Sequence, residues 1–91
     1  MGDARRLTLF GRIGCSHCEQ LQFALELMKT RLPHEPLHAY RYVDIDSDLN
    51  AKEQYGDSVP VLMYGDDTIC AGIFDIETLE TEVLNALQKR N

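Results

Sequence analysis

Hydrophobic positions along the chain switch between the period of a strand and the period of a helix, and each switch marks an element boundary. Arg6-Leu7-Thr8-Leu9-Phe10 alternates as a strand does, and Gly11 to Gly14 reads as the loop that follows it. From Cys15 to about Leu32, the residues Leu21, Ala24, Leu25, Met28 and Leu32 recur three or four apart, which is one face of a helix that stops before Pro33. Phe23 and Leu27 widen that stripe and predict a helix covered on more than one side. Pro33 to His38, with its two prolines and two histidines, reads as a connector.

Tyr40 to Asp46 predicts a second strand, with Val43 and Ile45 on one face, and Ser47 and Asp48 are helix-start residues. A short helix is expected from Leu49 to Tyr55, with Gly56 ending it in a left-handed conformation. Ser58-Val59-Pro60 leads into a third strand, Val61 to Tyr64, and Gly65-Asp66-Asp67 predicts a hairpin to a fourth, Thr68 to Ala71. Asp75 can cap a last helix whose Ile76, Leu79, Val83, Leu84 and Leu87 line one face. The expected fold class is therefore α/β, a mixed four-stranded sheet flanked by three helices. Its early strands are joined by right-handed crossovers and its late ones form an antiparallel pair.

Composition narrows the functional classes. With 91 residues and 44% hydrophobic content, the chain has room for one domain, expected over residues 6–91 behind a flexible tail at residues 1–5. A formal net charge of −6 argues against a nucleic-acid partner, because phosphate-tracking surfaces carry clustered Lys and Arg. Arg5 and Arg6 precede only Leu7 to Phe10 before Gly11 and Arg12 interrupt, too short for a signal peptide, and no apolar run approaches a membrane span. Three cysteines, only two of them close together, do not form a secreted disulfide framework. These features lead us to expect a soluble, monomeric, cytoplasmic protein.

The candidate chemistry lies in Cys15-Ser16-His17-Cys18, where the first strand hands the chain to the first helix. Thiols three apart on a helix are neighbours, with Cβ atoms roughly 5 to 6 Å apart, and a tightened turn brings them within disulfide range. As a structural staple the pair is weak: a loop of about four residues contributes about 2 kcal/mol, against roughly 4.7 for a hundred-residue loop. A zinc site normally shows a second Cys or His pair at ligand spacing; His34 and His38 flank a proline-containing connector, where exposed histidines are ordinary, so no metal is assigned. Asp44, Asp46 and Asp48 read as a solvated turn and cap, and Cys70 as a small hydrophobe within a strand. Cys15 is the expected nucleophile, since helix-start N–H groups and the positive dipole end favour its thiolate. The dipole is worth about 0.3 to 1 kcal/mol, up to roughly 2 when partly buried, so further lowering of the thiol pKa must come from side chains. Cys18, one turn in, is the expected resolving thiol.

The order of elements, together with Leu7-Thr8-Leu9-Phe10 leading to the cysteines, Ser58-Val59-Pro60, and Ala71-Gly72 followed by Asp75, resembles the thioredoxin superfamily and, in its brevity, the glutaredoxins. The likeness covers roughly residues 6 to 88. It departs from the usual glutaredoxin pattern at Ser16-His17, where Pro-Tyr is common, at Ala71, where a glycine is, and at Ile73 and Phe74, where small polar residues are. The resemblance implies thiol–disulfide exchange with a disulfide-bearing protein or a glutathione mixed disulfide. It also implies no tightly bound cofactor, with glutathione as an optional co-substrate. It further implies that Arg12 and His17 stabilise the Cys15 thiolate, that Pro60 is cis, and that substrate or glutathione lies along Val59, Pro60, Gly72 and Asp75. Two other functions remain open beside it, an iron–sulfur cluster carrier and a non-catalytic redox-sensing module.

Overall fold

The computed structural model describes residues 5–88. Strand β1 (Leu7–Gly11) is followed by helices α1 (Ser16–Lys29) and α2 (Glu35–His38), strand β2 (Arg41–Asp44) and a 3₁₀ turn, Ile45–Ser47. Helix α3 (Leu49–Tyr55), strands β3 (Val61–Tyr64) and β4 (Asp67–Ala71) and helix α4 (Ile76–Gln88) complete the chain. The sheet order is β2-β1-β3-β4, with β1 parallel to β2 and the other two pairings antiparallel.

Register sorts the side chains. Leu9 is paired with Tyr42 on one side and Leu62 on the other, and Leu7 with Tyr64, so these residues share a face of the sheet. That face meets Leu21, Leu25 and Met28 of α1, Leu37 of α2, and Leu79 and Val83 of α4 to form the main core. Phe10 and Val61, also paired, belong to the opposite face, where the Phe10 ring packs on Tyr55 of α3 with centroids 4.4 Å apart. β1 thus feeds one core with its odd-numbered residues and a smaller one with its even-numbered residues.

The expected elements are present, with four corrections. α1 ends at Lys29 rather than Leu32: the Thr30 hydroxyl takes the Leu27 carbonyl at 2.7 Å, and Pro33 biases the residue before it away from helical geometry. The expected connector holds a one-turn helix, α2, because Pro36 sits in its first turn, where a missing N–H costs nothing, and Leu37 is fully buried. The second strand stops at Asp44, whose side chain accepts from the Asp46 N–H and turns the chain into the 3₁₀ segment. Gly56 ends α3 in a right-handed conformation (φ −53°), donating its N–H to the Lys52 carbonyl at 2.9 Å. The hairpin at Gly65-Asp66 joins Tyr64 and Asp67 as expected.

Of the tail expected at residues 1–5, the first four lie outside the described residues, as do residues 89–91 of the expected domain. The Arg5 guanidinium lies 2.7 Å from Asp67 and 4.9 Å from the centre of the Tyr64 ring. No helix among the described residues is long and apolar enough to cross a membrane.

Helix α1 is tied to the connector beyond α2 by the Tyr40 hydroxyl, which donates to Glu26 at 2.6 Å. This bond, with help from Lys29, holds the Glu26 carboxyl below its ordinary value of 4.5. A depressed carboxyl stabilises the fold above its ordinary pKa and loses that contribution as pH falls through the folded value. Glu26→Gln should therefore flatten the decline in urea midpoint on acidification from about pH 6 to pH 3.

Candidate functional site

β1 ends at Gly11, and the loop behind it closes when the Cys15 N–H donates to the Arg12 carbonyl at 3.2 Å. Cys15 then stands at the cap of α1 in an extended conformation, and its sulfur accepts the Cys18 N–H at 3.2 Å. Sulfur here takes the place of the hydroxyl or carboxylate oxygen usual at a helix start. The two cysteines are joined as a disulfide, with Cα atoms 5.2 Å apart. They differ in access: Cys15 is half-buried, whereas Cys18 is 1% exposed beneath the first turn of α1. An incoming group meets the outer residue first.

Gly11 brings a third residue to the pair, one that sequence reasoning missed. A methyl group at this position would lie 2.6 Å from the Tyr42 hydroxyl oxygen and 3.2 Å from Cβ of Cys18. The absent side chain lets the phenol of β2 close over the end of β1 beside the inner cysteine. Burial, followed by the charges of Asp44 and Glu19, pushes the Tyr42 phenol up, so it stays protonated. The signal in the sequence was the glycine at the strand end, but the partner across the sheet depended on register.

The other candidate residues fall into separate groups. The Val59–Pro60 peptide bond is cis, Pro60 is buried, and its carbonyl accepts the Gly72 N–H at 2.8 Å. Gly72 has φ +81°, a conformation that a side chain would strain, and a Cβ there would sit 3.5 Å from the Ser58 carbonyl. The structure thus brings Val59, Pro60 and Gly72 together as two segments leaning on each other. Asp75 caps α4, its carboxylate accepting the Glu77 N–H at 2.9 Å and its carbonyl the Leu79 N–H at 2.9 Å.

Arg12 is committed elsewhere. Its guanidinium donates to both carboxylate oxygens of Asp46, at 3.1 and 3.3 Å, and the same carboxylate lies 3.8 Å from the Lys52 ammonium. His17 is exposed on the first turn of α1 and lines a groove with Phe23, Leu27, Phe74 and Ile76. That groove corrects the expectation for Phe23 and Leu27, which are 65% and 48% exposed rather than covered. Helical period placed them beside the core stripe without revealing that no described element packs over them.

His34 caps α2 through its backbone only, and the His38 ring donates to the Leu32 carbonyl at 2.7 Å. Asp48 caps α3 by accepting the Ala51 N–H. Cys70, paired with Leu62 on the helix-covered face, is half-buried; that burial, with the Glu82 charge, pushes its thiol up to about 11.

Comparison with known proteins bears on these features. The family described as Glutaredoxin-like domain (DUF836) matches residues 6–84. Among solved structures, the chain is similar to protein Ne2328 from Nitrosomonas europaea, determined by solution NMR. The identity is 24%, the match covers 89% of this chain and 93% of that chain, and the TM-score is 0.63. The fold is thioredoxin-like. A search of curated proteins finds no match.

Two measurements check this arrangement. In the reduced protein at about pH 8, iodoacetamide should label Cys15 first and leave Cys70 largely unmodified; equal labelling rates would contradict its burial. Gly11→Ala should lower stability by about 1 to 3 kcal/mol in chemical denaturation, and Tyr42→Phe in that background should recover part of the loss by removing the nearest atom.

Proposed function

The chain belongs to the glutaredoxin-like domain family, and from that premise we propose that it is a thiol–disulfide oxidoreductase with Cys15 as nucleophile and Cys18 as resolving thiol. The observation that carries this reading is the Cys18 N–H aimed at the Cys15 sulfur at 3.2 Å, with Cys15 outermost and Cys18 sealed behind it. A backbone donor and the positive end of a 14-residue helix favour sulfur as an anion, the form that attacks.

In the reduced state, the Cys15 thiolate attacks one sulfur of a substrate disulfide. That S–S bond breaks, its other sulfur leaves as a thiolate, and Cys15 is left in a mixed disulfide. Cys18, deprotonated in turn, attacks the Cys15 sulfur, releasing the second substrate thiol and leaving the Cys15–Cys18 disulfide. Two electrons have passed from the protein dithiol to the substrate. Two molecules of a thiol such as glutathione then restore the dithiol, the first by forming a mixed disulfide and the second by releasing it, and leave as their own disulfide. The short Cα separation of 5.2 Å means that the pair closes without displacing α1.

Roles for the remaining candidates follow the same reading. His17, on the first turn, adds positive charge near Cys15 when protonated. The half-buried Val59 offers backbone groups to an extended substrate segment, with Gly72 and Asp75 alongside, so recognition there rests largely on main-chain pairing. Arg12 acts on the thiolate only at the distance its Asp46 pairing leaves, and that pairing weakens its reach.

Disulfide reduction by the wild-type protein with a thiol reductant tests the proposal. Cys15→Ser should reduce the rate by roughly a thousandfold or more, as loss of a nucleophile does. Cys18→Ser should instead accumulate a mixed disulfide at Cys15, detectable as a mass adduct that a thiol removes. Equal rates for wild type and Cys15→Ser would exclude the mechanism.

A further inference from the structure

The outer side of α1 is apolar where nothing covers it. Phe23 and Leu27 stand exposed there, Ile76 stands exposed at the start of α4, and the half-buried Phe74 lies between them. With Ala24 and His17 these residues line an open groove of about 520 Å³ between the two helices. Large apolar side chains left in water in one contiguous strip usually mark a contact surface.

The groove has a direction. At one end is His17, between Cys15 and Cys18 in the chain. Toward the other, the Arg31 guanidinium crosses from just beyond α1 to Glu80 of α4 at 2.7 Å. Ile13, on the loop before Cys15, and Ile73, on the turn before α4, are also exposed. The groove therefore adjoins the place where a substrate disulfide must meet Cys15.

Charge indicates what fits. Glu77 on the first turn of α4, directly after Ile76 of the groove, is exposed and makes no ion pair among the described residues, within a chain of formal charge −6. The cation nearest the cysteines in sequence, Arg12, is already held by Asp46. The surroundings suit a basic, apolar segment better than a small anion such as glutathione.

We propose that the substrate is a protein disulfide, docked through an apolar segment in the α1–α4 groove with basic residues beyond it facing Glu77. This rests on the thiol–disulfide exchange reading above and names its substrate class. The chemistry is unchanged: the partner disulfide becomes two thiols, Cys15 and Cys18 become a disulfide, and an added dithiol reductant resupplies the two electrons.

The test uses three disulfides and dithiothreitol as reductant: a peptide disulfide flanked by Leu, Phe and Lys, the same peptide with Ser and Glu flanks, and bis(2-hydroxyethyl) disulfide. The wild-type protein should favour the apolar, basic peptide over the polar, acidic one in kcat/KM by about tenfold, the order expected for part-burying two large apolar side chains. The double variant Phe23→Ser/Leu27→Ser should lose most of that preference while reducing the small disulfide at the wild-type rate. Its thermal midpoint, compared with wild type, establishes that it is folded. Glu77→Lys, a change at an exposed position, should shift preference toward the acidic peptide. Turnover of the small disulfide with no preference between peptides, or a preference that survives the double variant, would overturn the docking surface alone. Failure to reduce any of the three would overturn the exchange reading and the docking surface with it.

Discussion

A backbone N–H at the start of a helix must find an acceptor, and on the first turn of α1 the acceptor is a sulfur atom. The bond from Cys18 to Cys15 links structure and chemistry: the interaction that caps the helix is also the one that favours a charged sulfur. It exists because β1 ends where it does. Leu7 and Leu9 bury in the main core, Gly11 continues that face without a side chain, and the three-residue passage to Cys15 closes on the Arg12 carbonyl. The position of the outer cysteine is set by a strand buried on one face and half-buried on the other.

The chemistry divides between two sulfurs by burial. The environment of Cys70 shows what burial does without a helix start: its thiol is pushed up to about 11, and it remains a filler beside Leu62. Cys15 has the reverse setting, half-exposed and facing a donor. Cys18 shares the burial of a core residue yet lies within reach of Cys15, which suits a thiol that acts second.

The elements that could be read from the sequence were those whose signals are local. α3 from Leu49 to Tyr55 and β3 from Val61 to Tyr64 have the expected bounds because Asp48 caps the one and Pro60 and Gly65 bracket the other. The cysteine pair was legible for the same reason, being a short motif at a strand-to-helix junction. What escaped depended on distant partners. α2 forms because Leu37 finds the core and Pro36 falls in the first turn, where its missing N–H is tolerated. The Arg12 guanidinium pairs with Asp46, 34 positions on, and only the pairing of β1 with β2 makes them neighbours. Tyr42 reaches the end of β1 at Gly11 through the same sheet. Phe23 and Leu27 carry the period of buried residues, and period does not distinguish a covered face from one left open.

The parallel and antiparallel halves of the sheet meet only along β1, which is hydrogen-bonded to a neighbour on each side, whereas β2 and β4 are edges. Amide protons of such a strand exchange through the rarest, most global openings, while edge strands fray at lower free energy. The first cysteine therefore follows directly from one of the two central strands of the sheet. Partners can tug at the periphery, and edge strands can breathe, without carrying the reactive atom out of register.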